Sequence, residues 1–134
     1  MIEQYPQQVK IAFKHFPLRN HRFATKAAQA AVAAGRQGHF WEFHDQLYKR
    51  YNRLNDQAIE EIRAALALSP EQFKADMLAP GTIARINADM QSGAQAGVRG
   101  TPTVFINGRR LMDKSLHGFQ AMINPLLQQS GAKK

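Results

Sequence analysis

The sequence predicts an α/β chain folded as one domain over residues 1–134: a leading strand, a run of helices, a two-stranded hairpin and a closing helix. Three patterns carry this. Val9, Ile11 and Phe13 alternate with Lys10, Ala12 and Lys14, the period of a strand with one buried face. From Phe23 to Ala96 apolar residues recur at helical spacing, interrupted by capping signals. Thr103 to Ile106 is a short β-branched and aromatic run, and Asn107-Gly108, which follows it, is the preferred two-residue hairpin turn, returning through Arg109 to Met112.

Each element has a local reason. The leading strand ends at His15-Phe16-Pro17-Leu18, because Pro17 lacks the donor that further pairing needs. Phe23 to Ala34 is alanine-rich and helical, with Gly35 as its cap. A second helix is expected over Phe40–Tyr51, with Phe40, Phe43 and Leu47 on one face and Trp41, His44 and Tyr48 alongside. Asn55 opens a third helix carrying Ile59, Ile62 and Leu66 at core spacing. Ser69-Pro70-Glu71-Gln72 combines an N-cap, a first-turn proline and a capping-box glutamine, with Phe73 and Met77 as the buried pair behind it. Pro80-Gly81 breaks the chain, and Thr82 opens a helix that turns Ile83, Ile86 and Met90 inward. Phe119, Met122, Ile123, Leu126 and Leu127 mark the last helix, which Pro125 is expected to kink or shorten.

Composition narrows the function classes. The chain has no cysteine, so structural disulfides, thiolate metal sites and thiol catalysis within it are excluded. No apolar run approaches the length of a membrane span, and Met1–Pro6 lacks the pattern of a secretory signal. The formal charge of +8 suggests anionic partners. Its basic residues are scattered, however, concentrating only at Lys49-Arg50-Arg53, Arg109-Arg110 and Lys133-Lys134, so a solvated surface is favoured over a nucleic-acid site. Binding to nucleic acid or to an anionic membrane surface ranks third among the functional readings. The histidines, His15, His21, His39, His44 and His117, show no ligand spacing; His39 and His44 lie about 140° apart around a helix, so no metal site is expected. Phe40, Trp41 and Phe43 read as core packing before they read as an apolar binding patch. No cofactor-binding loop is expected.

The most informative segment is Gly97-Val98-Arg99-Gly100-Thr101-Pro102-Thr103-Val104-Phe105-Ile106-Asn107-Gly108-Arg109. Gly97 suits a left-handed helix cap, Gly100 loosens the turn, and the Thr101-Pro102 bond imposes an extended or turn geometry and is open to the cis form. Helix, Gly-Thr-Pro loop, strand, Asn-Gly turn and strand together resemble the cis-proline half of a thioredoxin-type domain. VKIAFKHFPL at Val9–Leu18 and the segment Ala24–Tyr48, with AAQAAVAAGRQGHFWEFHDQLY, extend the resemblance over nearly the whole chain. The family it resembles is that of the DsbA-like thiol–disulfide oxidoreductases.

That resemblance implies an incomplete thioredoxin-like fold with a helical insertion at about 22–96. It implies that Met1–Tyr5 corresponds to the tail of the family's Cys-x-x-Cys helix, and that the strand before that helix is missing from the middle of the sheet. The gap would be closed by direct pairing of the remaining strands, by a second copy in a homodimer, or by a separate strand-completing partner. The resemblance also assigns Thr101 and Pro102 to an extended peptide or protein substrate, and implies an extracytoplasmic, periplasmic setting. Disulfide exchange needs an attacking thiolate and a resolving thiol, so this chain is expected to be redox-inactive alone. The alternative is a non-catalytic binding module that uses the cis-proline loop, although Thr-Pro also reads simply as a rigid turn.

Overall fold

The structure, a computed structural model, describes residues 4–18 and 23–132, with side chains as far as 128. His21, Lys133 and Lys134, like Met1–Glu3 of the expected helix tail, lie outside the described residues. The elements are α1 (Ala24–Arg36), α2 (Phe40–Lys49), α3 (Asp56–Ala65), α4 (Pro70–Leu78), α5 (Pro80–Gln95), β1 (Val104–Ile106), β2 (Arg109–Leu111) and α6 (Leu116–Ala132). They fall into two compact units: Lys14–Arg99, and Met1–Phe13 with Gly100–Lys134.

The helical unit is organised by α1. Its alanines, Ala30, Ala33 and Ala34, are buried and let the neighbouring helices approach closely. Phe43, Ile59, Ile62, Leu68 and Phe73 fill the space against them, and the Phe43 and Phe73 rings lie 5.5 Å apart. Two caps act as the sequence predicts: Asn55 accepts from the Ala58 amide at 2.7 Å and Ser69 from the Gln72 amide. Gly35, expected to cap α1, instead lies inside it. A Cβ at Gly35 would come within 3.3 Å of the Phe40 Cβ, so the glycine permits the close return of α2. The reversal itself is made at Gly38, with φ +82°.

Helix α5 begins at Pro80, ahead of Thr82, and buries Thr82, Ile86 and Asp89, while Ile83 faces solvent. Polar residues occupy this buried stripe because each satisfies main chain from another segment. Thr82 donates to the Asp76 carbonyl, and Asp89 accepts from the His15 amide at 3.0 Å. The helix ends in a Schellman arrangement: the amide of Gly97, at φ +83°, donates to Ala94, and that of Val98 to Gly93.

In the other unit β1 and β2 form the two-stranded antiparallel sheet, with Val104 opposite Leu111, Phe105 opposite Arg110 and Ile106 opposite Arg109. Asn107 (φ 48°) and Gly108 (φ 82°) both take left-handed conformations, as a type I′ turn demands. Leu111 and Ile123 are buried, and the Tyr5 hydroxyl donates to Asn124 Oδ1 at 2.7 Å. Pro125 does not shorten α6, which continues to Ala132.

The expected leading strand is not formed. Residues 9–18 join no ladder, and Ile11 and Phe13 are 43% and 36% exposed. Alternation chooses which side chains share a face, but a strand exists only where a neighbouring strand takes up its main-chain groups. Farther along this segment, within the helical unit, the His15 amide goes to Asp89, and Phe16 occupies the space beside Gly93, where a Cβ would meet its ring at 2.9 Å.

Candidate functional site

The loop 100–103 and the open side of β1 form the candidate site. Thr101 and Pro102 are both exposed, and the bond between them is cis. Two side chains brace the loop. The Thr103 hydroxyl donates to the Gly100 carbonyl at 2.7 Å, and Lys114 Nζ donates to the Pro102 carbonyl at 2.7 Å. Among the described residues, no hydrogen bond is made to the main chain of Thr101.

Strand geometry decides what the loop leads into. Ile106 and Arg109 flank a two-residue turn and so form a hydrogen-bonded pair, which makes Phe105–Arg110 a non-hydrogen-bonded pair. The amide and carbonyl of Phe105 therefore point away from β2. Phe105 thus presents a donor and an acceptor on the edge of β1 that has no strand neighbour among the described residues, next to the exposed Thr101-Pro102 loop. Such an edge is a template for an added strand.

Beyond the loop, Ser115 accepts from the Gly118 amide at 3.2 Å, and its own amide donates to Asp113 Oδ1 at 3.0 Å. The Ser115 hydroxyl, then its amide, holds the Asp113 carboxyl below the usual range, with a smaller contribution from His117. This fixes the start of α6 immediately after Lys114.

The histidines occupy three different settings. His39 Nδ1 lies 2.8 Å from Glu42, and His44 Nδ1 lies 3.4 Å from Asp45. His15 is buried, with its ring edge-on to Phe40 at 5.9 Å. Burial pushes its pKa down; the Asp89 carboxylate opposes this, while Arg85 and His44 push it further down. Asp89 also faces Arg85 at 3.7 Å and Lys14 at 4.0 Å. Among the described residues, no group of three His, Asp or Glu side chains is placed to hold a metal ion.

Sequence reasoning singled out Thr101 and Pro102 but missed Lys114. An exposed lysine twelve residues from its acceptor leaves no periodic or spacing signal.

Residues 1–125 match the family model described as thioredoxin. Curated relatives include the Na(+)/H(+) antiporter NhaA of Herminiimonas arsenicoxydans, 34% identical over 107 residues, which are 80% of this chain and 17% of that protein. The Na(+)/H(+) antiporter NhaA 3 of Salinispora tropica and NhaA 1 of Salinispora arenicola are each 36% identical over 103 residues, 76% of this chain and 16% of theirs. The chain thus spans about a sixth of the length of these relatives. No solved structure matches it.

Proposed function

The chain belongs to the thioredoxin family, and from that premise we propose that it is a DsbA-like domain that docks extended polypeptide at the 100–106 edge without performing disulfide exchange. The supporting observation is the outward main chain of Phe105 on the open edge of β1, beside a loop braced by Thr103 and Lys114. A polypeptide lying there would exchange main-chain hydrogen bonds as an added strand does, with affinity from the ladder and selectivity from flanking side chains such as exposed Phe105 and Met112.

The chemistry follows from residue types. A disulfide is passed on only through a thiolate, and this chain has no sulfur nucleophile. Neither the Thr101 nor the Ser115 hydroxyl can form the reversible disulfide that stores two electrons. The chain therefore contributes binding, and any thiol chemistry near it must come from another chain or segment. The antiporters to which it is similar favour a setting as one module of a longer protein, with the edge recruiting a polypeptide to that assembly.

The test is a titration of ¹⁵N-labelled chain with an unfolded, carboxymethylated polypeptide. Amide shifts are expected for Gly100, Thr101, Thr103 and Phe105; shifts confined to other segments would refute the docking site. In parallel, insulin reduction by dithiothreitol should proceed at the same rate with and without the chain. Acceleration would overturn the assignment of a thiol-inactive domain.

A further inference from the structure

The outer side of α2 and the turn after it expose three aromatic residues, of which Trp41 also packs edge-on against Phe40 at 5.0 Å and His44 at 5.6 Å. Trp41 is 46% exposed, Tyr48 74% and Tyr51 75%, whereas Phe43 of the same helix is fully buried. Trp41 and Tyr48 are seven positions apart, which brings them within about 20° of one line along the helix. The Tyr51 amide bonds the Tyr48 carbonyl at 3.3 Å, so the following turn continues past the helix end.

Charge is distributed unevenly along this face. At its N-terminal end Glu42 lies against His39 and Asp45 against His44. At its C-terminal end Lys49 and Arg53 are exposed. There a polar cleft of about 390 Å³ is lined by Arg50, Arg53, Asn55, Gln57, Ala58 and Glu61. Glu61 is committed to Arg50 at 2.7 Å, and Arg53 has no carboxylate partner among the described residues, so the cleft retains unneutralised positive charge.

We propose that this face docks on an anionic phospholipid surface, with Tyr48, Tyr51 and Trp41 at the headgroup level and Lys49 and Arg53 against lipid phosphates. Rings with a polar tip suit a boundary that is apolar on one side and wet on the other. Lysine and arginine beside them supply the electrostatic attraction that makes such binding depend on anionic lipid. Nucleic acid fits less well, because two exposed cations are few against the six to ten phosphate contacts that make backbone binding strong. No helix among the described residues is long and apolar enough to cross a membrane, so the mode is attachment to the surface. This inference uses α2, the turn after it and the start of α3, and it stands apart from the polypeptide-docking edge.

The chain carries its own reporter, since Trp41 is its one tryptophan. Vesicles of mixed phosphatidylglycerol and phosphatidylcholine should shift Trp41 emission to the blue and sediment the chain, whereas pure phosphatidylcholine vesicles should do neither. Lys49→Gln/Arg53→Gln should weaken partitioning by about tenfold or more. Tyr48→Ser/Tyr51→Ser should weaken it to a similar extent while leaving the far-UV spectrum unchanged, since both rings are exposed. The proposal fails if neutral vesicles bind equally well, if neither double variant changes partitioning, or if duplex DNA or inorganic phosphate binds while the anionic vesicles do not.

Discussion

The hydroxyl of Thr82 donates to the main-chain carbonyl of Asp76, fastening the last turn of α4 to the first turn of α5 across Ala79 and Pro80. Thr82 is fully buried, and Asp76 is held from its other side by Arg36 at 3.2 Å and Gln72 at 3.1 Å. Thr82→Val keeps the shape and removes the donor. Because the Asp76 carbonyl still accepts from the Ala79 amide, the expected loss is about 1 kcal/mol in urea unfolding. Thr82→Val with the same urea midpoint as the parent would show that the bond contributes nothing.

Stability should fall as pH drops through the ordinary histidine range. His15 has its pKa lowered by burial from 6.5, so the unfolded chain takes up a proton there that the folded chain refuses. Between the folded pKa and 6.5 the unfolded state binds more protons, and stability therefore rises with pH across that window. Urea midpoints measured from neutral pH downward should show a smaller slope for His15→Gln than for the parent. An identical slope would remove His15 from the account.

Gly118→Ala should be among the more damaging single-methyl additions. A Cβ at Gly118 would overlap the Asp113 carbonyl oxygen, a main-chain atom that moves only if the turn into α6 moves. A cost of about 1–3 kcal/mol is expected, read as a lower melting temperature. Gly100→Ala supplies the contrast, because a Cβ there meets nothing within 4 Å. If the two variants melt together, the turn is more yielding than its geometry indicates.

Lys114→Met removes the donor to the Pro102 carbonyl and frees the loop on that side. The bond is exposed, so stability should change by no more than about 1 kcal/mol. Affinity for unfolded polypeptide should fall severalfold, because a looser loop must be ordered on binding. Unchanged affinity in the titration would show that Thr103 braces the loop by itself.

Much of this fold is legible in local chemistry. Asn55 and Ser69 announce helix starts, Gly97 an end and Asn107-Gly108 a hairpin, because each signal is a bond or a backbone angle settled within a few residues. The leading strand at Val9–Phe13 and the inward turn of Ile83 were misread for a common reason. Both depend on what lies opposite, which periodicity does not contain. Pro125 shows a related limit: a missing donor weakens a helix, yet α6 continues past it.

By itself, then, the order of residues determined the helix and hairpin content and the absence of any thiol reaction within the chain, since these follow from side-chain chemistry and short-range geometry. Only the tertiary structure decided that His15 and Asp89 meet, that Lys114 reaches the Pro102 carbonyl, and that one edge of β1 has no strand beside it among the described residues. Those relationships join segments up to 74 positions apart, and only the packing of the whole chain brings such segments within bonding distance.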